Sequence, residues 1–362
     1  MRDVQILATG SYLPGEALTN EQLAGFAGPL PDDVLEGIQV KTRHWIADPL
    51  TGEQSETNAH MAAEAGERAL ALAGVDAADV ELIVVSTASP DYHLPGLSTF
   101  VQEALGLERC ASVDIRSGCA GAIEALDLAR MYLERGQYEN ALVIGSEAIS
   151  PLIVPIFLGR PPEKVRMRDR LGIYSFGDGA GAMVLAPREG DGVRGSAIAC
   201  VGGHRPPGMQ VIGGGTHRPI HEQLQAKRLI ELKVDVVESG RFTPFVLIEG
   251  LRRTLESAGL AAGEVDLCVI PEGNAEYITD ELTEAGLETD DWTALQGRIF
   301  ENLTLVGATG SAAVPLALDH AWRTGRLDDG PMVMLLAIET SKWKYGGWVF
   351  PWTAGPAPTA AG

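Results

Sequence analysis

The sequence predicts an α/β protein built from two similar halves, and three observations carry that expectation. Ala73-Gly-Val-Asp-Ala-Ala-Asp-Val-Glu-Leu82 matches Ala258-Gly-Leu-Ala-Ala-Gly-Glu-Val-Asp-Leu267 without a gap. Ser117-Gly-Cys-Ala and Ala125-Leu-Asp-Leu-Ala129 match Thr309-Gly-Ser-Ala and Ala317-Leu-Asp-His-Ala321, in the same order along the chain. Short apolar runs also alternate with helical patterns, as strands joined by helices do. Two copies are too few for a solenoid. The expected halves are 1–185 and 186–362, packed about a pseudo-twofold axis.

The elements follow in order. Gln5-Ile-Leu-Ala-Thr-Gly-Ser-Tyr-Leu-Pro14 reads as a strand and a turn, and Thr57 to Ala73 as an amphipathic helix. Ile83-Val-Val85 is a buried strand, and Cys268-Val-Ile270 is its counterpart. Asp114-Ile-Arg-Ser-Gly-Cys119 leads through a turn into a helix marked by Ile123, Leu126 and Leu133. Ala141-Leu-Val-Ile-Gly145 and Met332-Val-Met-Leu-Leu-Ala337 are central strands. Phe176-Gly-Asp-Gly-Ala-Gly-Ala-Met-Val-Leu185 is a glycine-rich turn into a strand. It lacks the spacing and following helix of a dinucleotide site, so its glycines serve close backbone packing. The tail Thr353–Gly362 reads as disordered from its composition. Equivalent loops meet at the pseudo-axis, so Ser86–Tyr92 and Pro271–Tyr277 are expected to face one cleft, with Cys119 and Gly307–Ser311 beside them.

Composition limits the function. The chain has 362 residues, 45% hydrophobic and 21% charged, which is ordinary for a globular protein. A formal charge of −21 repels phosphates and argues against nucleic-acid binding. No apolar run approaches roughly 20 residues, so no membrane span is expected. The start, Met1-Arg-Asp-Val-Gln-Ile6, has no long apolar region, so no secretory signal is expected. Four scattered cysteines without CxxC spacing or a histidine cluster suit a reducing cytoplasm, with no metal site. The basic stretch Arg160–Arg170 reads first as a solvated loop, and second as a dock for an anionic carrier protein or CoA diphosphate.

Cys119 is the leading candidate nucleophile. It stands where a helix begins, and the unpaired N–H groups and dipole of a helix N-terminus stabilise a thiolate, the form that attacks an acyl thioester. The competing reading is a small core hydrophobe. Cys110, Cys200 and Cys268 lack the helix-start signal and read as structural.

These residues give the chain a family resemblance. It resembles the β-ketoacyl-acyl-carrier-protein synthase III enzymes of the thiolase superfamily. The resemblance rests on Thr9–Pro14, Pro90–Tyr92, Val101–Gly106, Asp114–Gly121, Phe176–Gly181 and Gly307–Leu318. It implies a thiolase-like α/β fold of two duplicated halves in a five-layered αβαβα arrangement, a homodimer, and no permanently bound cofactor. The substrate it implies is a phosphopantetheine thioester, on acyl carrier protein or CoA, whose acyl group passes to Cys119. The family's tryptophan for the CoA adenine has no counterpart in Pro31-Asp-Asp-Val-Leu35, which favours a carrier protein.

The sequence departs from the family at the second step. Decarboxylative condensation with malonyl-carrier protein leaves an enolate, whose oxygen the family holds with a His and an Asn. Here Glu272 stands at the His position and Ala308 at the Asn position. Losing such donors costs a few kcal/mol of transition-state stabilisation. The expectation is an acyltransferase that delivers to a non-malonyl acceptor (hydroxyl, amine, thiol or carbon acid) with Glu272 as base. The competing role for Glu272 is to cap the helix starting near Ala275. Asn274 is a candidate to orient Glu272 or to bind a carbonyl. The Cys119 N–H forms half of an oxyanion hole, and Thr340 or Ser341 occupies the place of the other half. His93, Ala308, Thr309 and Trp343 are pocket candidates. Two alternatives stand beside this reading: a carbon–carbon bond-forming β-ketoacyl synthase with an altered site, and a silent partner subunit.

Overall fold

The computed structural model describes residues 2–226 and 229–357. Its frame is two mixed sheets of five strands. The first holds β1 (Val4–Tyr12), β2 (Leu82–Ser86), β3 (Ala111–Ile115), β4 (Ala141–Glu147) and β5 (Gly179–Pro187), in the order β1-β5-β4-β2-β3. The second holds β6 (Gly195–Cys200), β7 (Leu267–Val269), β8 (Ile299–Phe300), β9 (Met332–Glu339) and β10 (Lys344–Pro351), in the order β6-β10-β9-β7-β8. The two orders correspond strand for strand. So do the directions: two antiparallel pairings at one edge and two parallel pairings at the other.

Five helices matter for the site: α1 (Asn58–Ala73), α2 (Gly121–Glu134), α3 (Val236–Ala258), α4 (Ala275–Ala285) and α5 (Ala313–Arg323). Between the sheets, Ile123 and Leu126 of α2 and Val314 and Leu318 of α5 pack with Val84 and Val143 on one side and Val269 and Leu335 on the other. Met61, Ala65 and Ala69 of α1 cover the outer face of the first sheet at Ile83, Val85 and Ile144. Val246, Leu251 and Leu255 of α3 cover the outer face of the second at Cys268, Met334 and Leu336. The result is five layers, helix–sheet–helix–sheet–helix. Side chains alternate across a strand, so a strand covered on both faces must be apolar on both, as β2 is from Leu82 to Val85. Fully burying one such Val or Ile contributes roughly 1.5–3 kcal/mol.

The repeated sequence encodes a helix stop. Helix α1 ends at Gly74 (φ 64°) and α3 at Gly259 (φ 64°), both left-handed, where a side chain is strained. A short 3-10 turn follows each, Ala77–Asp79 and Ala262–Glu264, before β2 and β7. The glycine-rich segment packs as expected. A Cβ on Gly181 would lie 2.7 Å from Pro315, and the buried Asp178 accepts hydrogen bonds from Ile46 N (2.8 Å), Ile149 N (2.6 Å) and Ser150 N (2.8 Å).

One expectation is corrected at the C-terminus. Residues 353–357 of the tail are held in place. Gly355 O accepts from the indoles of Trp322 (3.1 Å) and Trp352 (3.0 Å), and Ala357 N donates to Asp328 (2.8 Å). The rest of the expected disordered tail lies outside the described residues. In the basic stretch, Arg170 is structural, donating to the carbonyls of Pro29, Pro162 and Val165, while Arg166 and Arg168 pair with Asp169. No helix among the described residues is long and apolar enough to cross a membrane, and no His/Cys/Asp/Glu group among them forms a metal site.

Candidate active site

Cys119 lies in the turn between β3 and α2, two residues before the helix starts. The turn closes through Gly121 N to Gly118 O (2.8 Å). A side chain at residue 121 would collide with Ser86 Oγ, so the tight elbow needs glycine there. The half-buried Cys119 lines a cavity of about 210 Å³ together with Glu272, Tyr277, Leu303, Ala308, Thr309 and residues 37–40. The Cys119 N–H makes no hydrogen bond to another described residue.

Glu272 follows β7 and is half-buried. Ile338 N donates to its Oε1 (3.2 Å). Burial, and then the charge of Glu339, push its carboxyl up to about 7. The cap of α4 is supplied by Asn274, whose side-chain oxygen accepts from Tyr277 N (2.9 Å). Glu272 is therefore not the helix cap. Asn274 does not act as expected either: it is exposed, stands outside the Cys119 cavity, and is tied through its N–H to Gln39 Oε1 (3.0 Å).

Two acids that sequence reading missed complete the surroundings of the thiol. Glu147, at the end of β4, accepts from Thr87 Oγ1 (3.1 Å), Ala88 N (2.9 Å), Ser89 Oγ and Ser311 N (3.1 Å). Burial raises it to about 7 despite these donors. Glu339, at the end of β9, accepts from Ser117 Oγ (2.7 Å) and Gly118 N (2.8 Å). An acid closing an apolar strand run is the signal that marks both.

This corrects the expected resting thiolate. Burial, and then the charges of Glu272, Glu339 and Glu147, push the Cys119 thiol well above its ordinary value. Burial acts first, because a poorly solvated site disfavours the anion, and the like charges of the three acids add to it.

The remaining candidates divide. Ala308 and Thr309 line the cavity. Trp343 does not: it is fully buried in the core of the second half, edge-on to Phe242, with its indole donating to Pro206 O (2.9 Å). His93 is exposed in the loop after β2, next to Gly214, away from the cavity. Thr340 and Ser341 form the β9–β10 turn; Thr340 O accepts from Gly208 N (3.0 Å), Ser341 Oγ bonds Glu339, and neither lines the cavity. Of the loops expected to share a cleft, Pro271, Glu272 and Tyr277 do so, whereas Ser86–Ser89 lie behind it in the Glu147 and Ser311 network.

Residues 113–202 match the family model described as 3-oxoacyl-[acyl-carrier-protein (ACP)] synthase III, and residues 255–349 match that of its C-terminal part. A β-ketoacyl-[acyl-carrier-protein] synthase III of Caldanaerobacter subterraneus subsp. tengcongensis is 31% identical over 336 residues, covering 92% of this chain and 93% of its own. Among solved structures, AbyA1, a tetronic acid condensing enzyme, superposes with a TM-score of 0.79 at 27% identity, covering 96% of this chain and 99% of its own. The priming β-ketosynthase of the R1128 polyketide pathway superposes with a TM-score of 0.79 at 24% identity, covering 99% and 98%, a likeness of fold alone.

Proposed function

The chain belongs to the 3-oxoacyl-[acyl-carrier-protein] synthase III family, and from that premise we propose that it is an acyltransferase with a rewritten second step. Cys119 takes an acyl group from a carrier-protein or CoA thioester: its sulfur bonds the acyl carbon, and the donor thiol leaves. An acceptor X–H then enters the cavity. Glu272 takes the acceptor proton, X bonds the acyl carbon, the bond to Cys119 breaks, and the sulfur recovers the proton from Glu272.

The observation that carries this reading is the placement of Glu272. It shares the Cys119 cavity, it is not spent on capping α4, and burial brings its carboxyl to about 7, where a base at neutral pH works best. Ala308, in the same cavity, brings no polar side-chain atom for a malonyl-derived enolate. The cavity is smaller than the roughly 300–1,000 Å³ of drug-sized sites, which suits a short acyl chain. The carbon–carbon bond-forming reading has its own support in the likeness to a tetronic acid condensing enzyme. A tetronic acid is a cyclic enol lactone, so a carbon acid belongs among the acceptors considered. A silent subunit has no use for a thiol at this elbow. The resemblance carries with it a homodimer, and the four free cysteines fit a reducing cytoplasm.

Intact-protein mass spectrometry after incubation with acyl thioesters tests the first step. The expected adduct is lost in Cys119→Ala, and no adduct with any CoA or carrier thioester sinks the enzyme reading. Carbon dioxide release from a malonyl thioester at the rate of acyl turnover sinks the non-malonyl acceptor.

A further inference from the structure

Lys344 is a largely buried cation that the scheme above leaves unused. It opens β10, and the strand register pairs it with Glu339, the last residue of β9. Both side chains reach Ser117, two residues before Cys119. Lys344 Nζ donates to Ser117 Oγ (2.9 Å), and Ser117 Oγ donates to Glu339 Oε2 (2.7 Å), which also accepts from Gly118 N (2.8 Å). The Ser117 hydroxyl is held between a cation and a carboxylate, so its single proton has one direction to point. Lys344 also forms an ion pair with Glu124, in the first turn of α2. One side chain of the second half thus grips the nucleophile turn on both sides, at residue 117 before Cys119 and at residue 124 after it.

Stability alone accounts poorly for this cation. The side chains of Lys344 and Glu124 are 23% and 15% exposed, and a pair so far removed from water gains little over an apolar pair of the same shape. An acid in the first turn of a helix is already favoured by the helix dipole. The charges around the thiol account for it better. Cys119 feels Glu272 from the loop after β7, Glu339 from β9 and Glu147 from β4. Glu272 accepts from Ile338 N, and Glu147 from Thr87, Ala88, Ser89 and Ser311, all neutral donors. Glu339 accepts from Ser117, Gly118 and Ser341, also neutral. Among the described residues no cation bonds any of the three directly, and Lys344 comes within one hydroxyl of Glu339.

Resting on the reading of Cys119 as nucleophile, we infer that Lys344 is a positioning residue of the nucleophile elbow: it fixes the Ser117 hydroxyl on Glu339, and its ammonium opposes the negative charge that the thiol meets on ionising. The proton leaves Cys119 as its sulfur attacks the thioester. A positive charge beside the elbow favours the anion at that moment, the more so where water is scarce. Lys344 does not line the Cys119 cavity, and it acts through Ser117 and Glu339.

Alkylation of Cys119 by iodoacetamide, followed against pH by peptide mass with the exposed Cys200 as reference, reports the thiol without requiring acyl transfer. In Lys344→Met the midpoint of the profile moves up and the rate at neutral pH falls about fivefold, while Lys344→Arg keeps the charge and recovers most of it. Lys342→Met removes a neighbouring lysine whose Nζ donates to Arg205 O instead, and leaves the profile unchanged. Glu124→Gln breaks the ion pair but leaves Lys344 on Ser117, so Cys119 is alkylated at least as fast as in the wild type. A slowing in Glu124→Gln like that of Lys344→Met marks a structural ion pair and overturns the inference, and this arm stands even where Lys344→Met does not fold. An unmoved midpoint in Lys344→Met overturns it too, whatever the rate. A wild type whose Cys119 is alkylated with the Lys344-dependent profile but never loads from an acyl thioester sinks the acyltransferase reading alone.

Discussion

The two halves of the molecule share a frame and differ where the chemistry is. Ile83 of β2 pairs with Leu142 of β4, and Cys268 of β7 pairs with Met334 of β9. Counting on from these pairs, Thr87 answers Glu272 and Glu147 answers Glu339, while Ser311 answers Cys119 in the repeat. The two strand-end acids keep their symmetry. Each reaches across to the elbow of the other half, Glu147 to Ser311 N and Glu339 to Gly118 N. The other two pairs have diverged. Thr87 is bound into the buried network of Glu147 and Asn58, while Glu272 faces the cavity with one backbone donor. Ser311 is fully buried and hydrogen-bonded, while Cys119 lines the cavity. The duplication thus supplies the scaffold twice, and one copy gives the proposed nucleophile, Cys119, while the other gives the proposed base, Glu272.

The harshest way to break this asymmetry is to exchange its halves. Cys119→Ala abolishes the acyl adduct. Adding Ser311→Cys to it does not restore the adduct, because residue 311 has no access to the cavity and its side chain is held by Ser117 and Gly118. Peptide mapping that finds acyl on residue 311 overturns the comparison. Next in size is Glu272→Gln, which leaves loading of Cys119 in place and slows transfer by about 100-fold. The proposed base is the carboxylate of Glu272, which accumulates as pH rises through about 7. Wild-type transfer therefore climbs through that range and levels off above it. The variant is slow and flat, and a variant that keeps the climb removes Glu272 from the mechanism.

Much of this was legible in the chain. The Ala-Gly helix stops before β2 and β7 exposed the duplication because a left-handed C-cap needs glycine wherever the fold repeats. Cys119 is marked by its own strand–turn–helix elbow, and Glu272 and Ala308 by the positions that the repeat and the family resemblance assign them. Glu147 and Glu339 have neither. Their partners lie 164 and 221 residues away, so only tertiary packing reveals that two strand-end acids bond the backbone at Ser311 and at Gly118, beside the thiol. Trp343 misled because a core and a pocket both recruit aromatic surface, and its sequence neighbourhood of shifted glycines does not distinguish them. Asn274 and Glu272 are both plausible caps by residue type. The backbone decides between them, turning extended at Asn274 (φ −73°, ψ 164°).

A smaller effect tests whether the acids restrain the thiol. Glu272, then Glu339, then Glu147 raise Cys119 in that order after burial. Replacing each with Gln removes the negative charge it carries, only part of a full charge at neutral pH for Glu272 and Glu147, and keeps the shape, so more of Cys119 is thiolate. Iodoacetamide labelling of Cys119 is expected to accelerate several-fold in Glu272→Gln, less in Glu339→Gln and least in Glu147→Gln. Labelling of the exposed Cys200 serves as the internal reference and stays unchanged. Equal Cys119 rates in all four proteins show that burial alone holds the thiol.

The smallest effect is on stability, and its sign follows from the same acids. Glu147 and Glu272 have folded-state values of about 7, above the roughly 4.3 of a glutamate in an unfolded chain. Between those values the folded protein binds more protons than the unfolded one, so stability falls as pH rises. The contribution is fully present below about 4.3 and is lost as pH passes about 7. The thermal midpoint is therefore expected to drop by a few degrees from about pH 5 to about pH 8. Glu147→Gln removes the more deeply buried of the two groups and keeps an acceptor for Ser311 N, so its midpoint changes less over the same interval. Because Glu147 is spent in the buried network at Ser311 and Glu272 lines the cavity, the paired variants separate the two acids: Glu147→Gln flattens the stability profile and leaves the transfer profile, while Glu272→Gln flattens both. A midpoint that rises with pH in the wild type overturns the assignment of raised values to these buried acids.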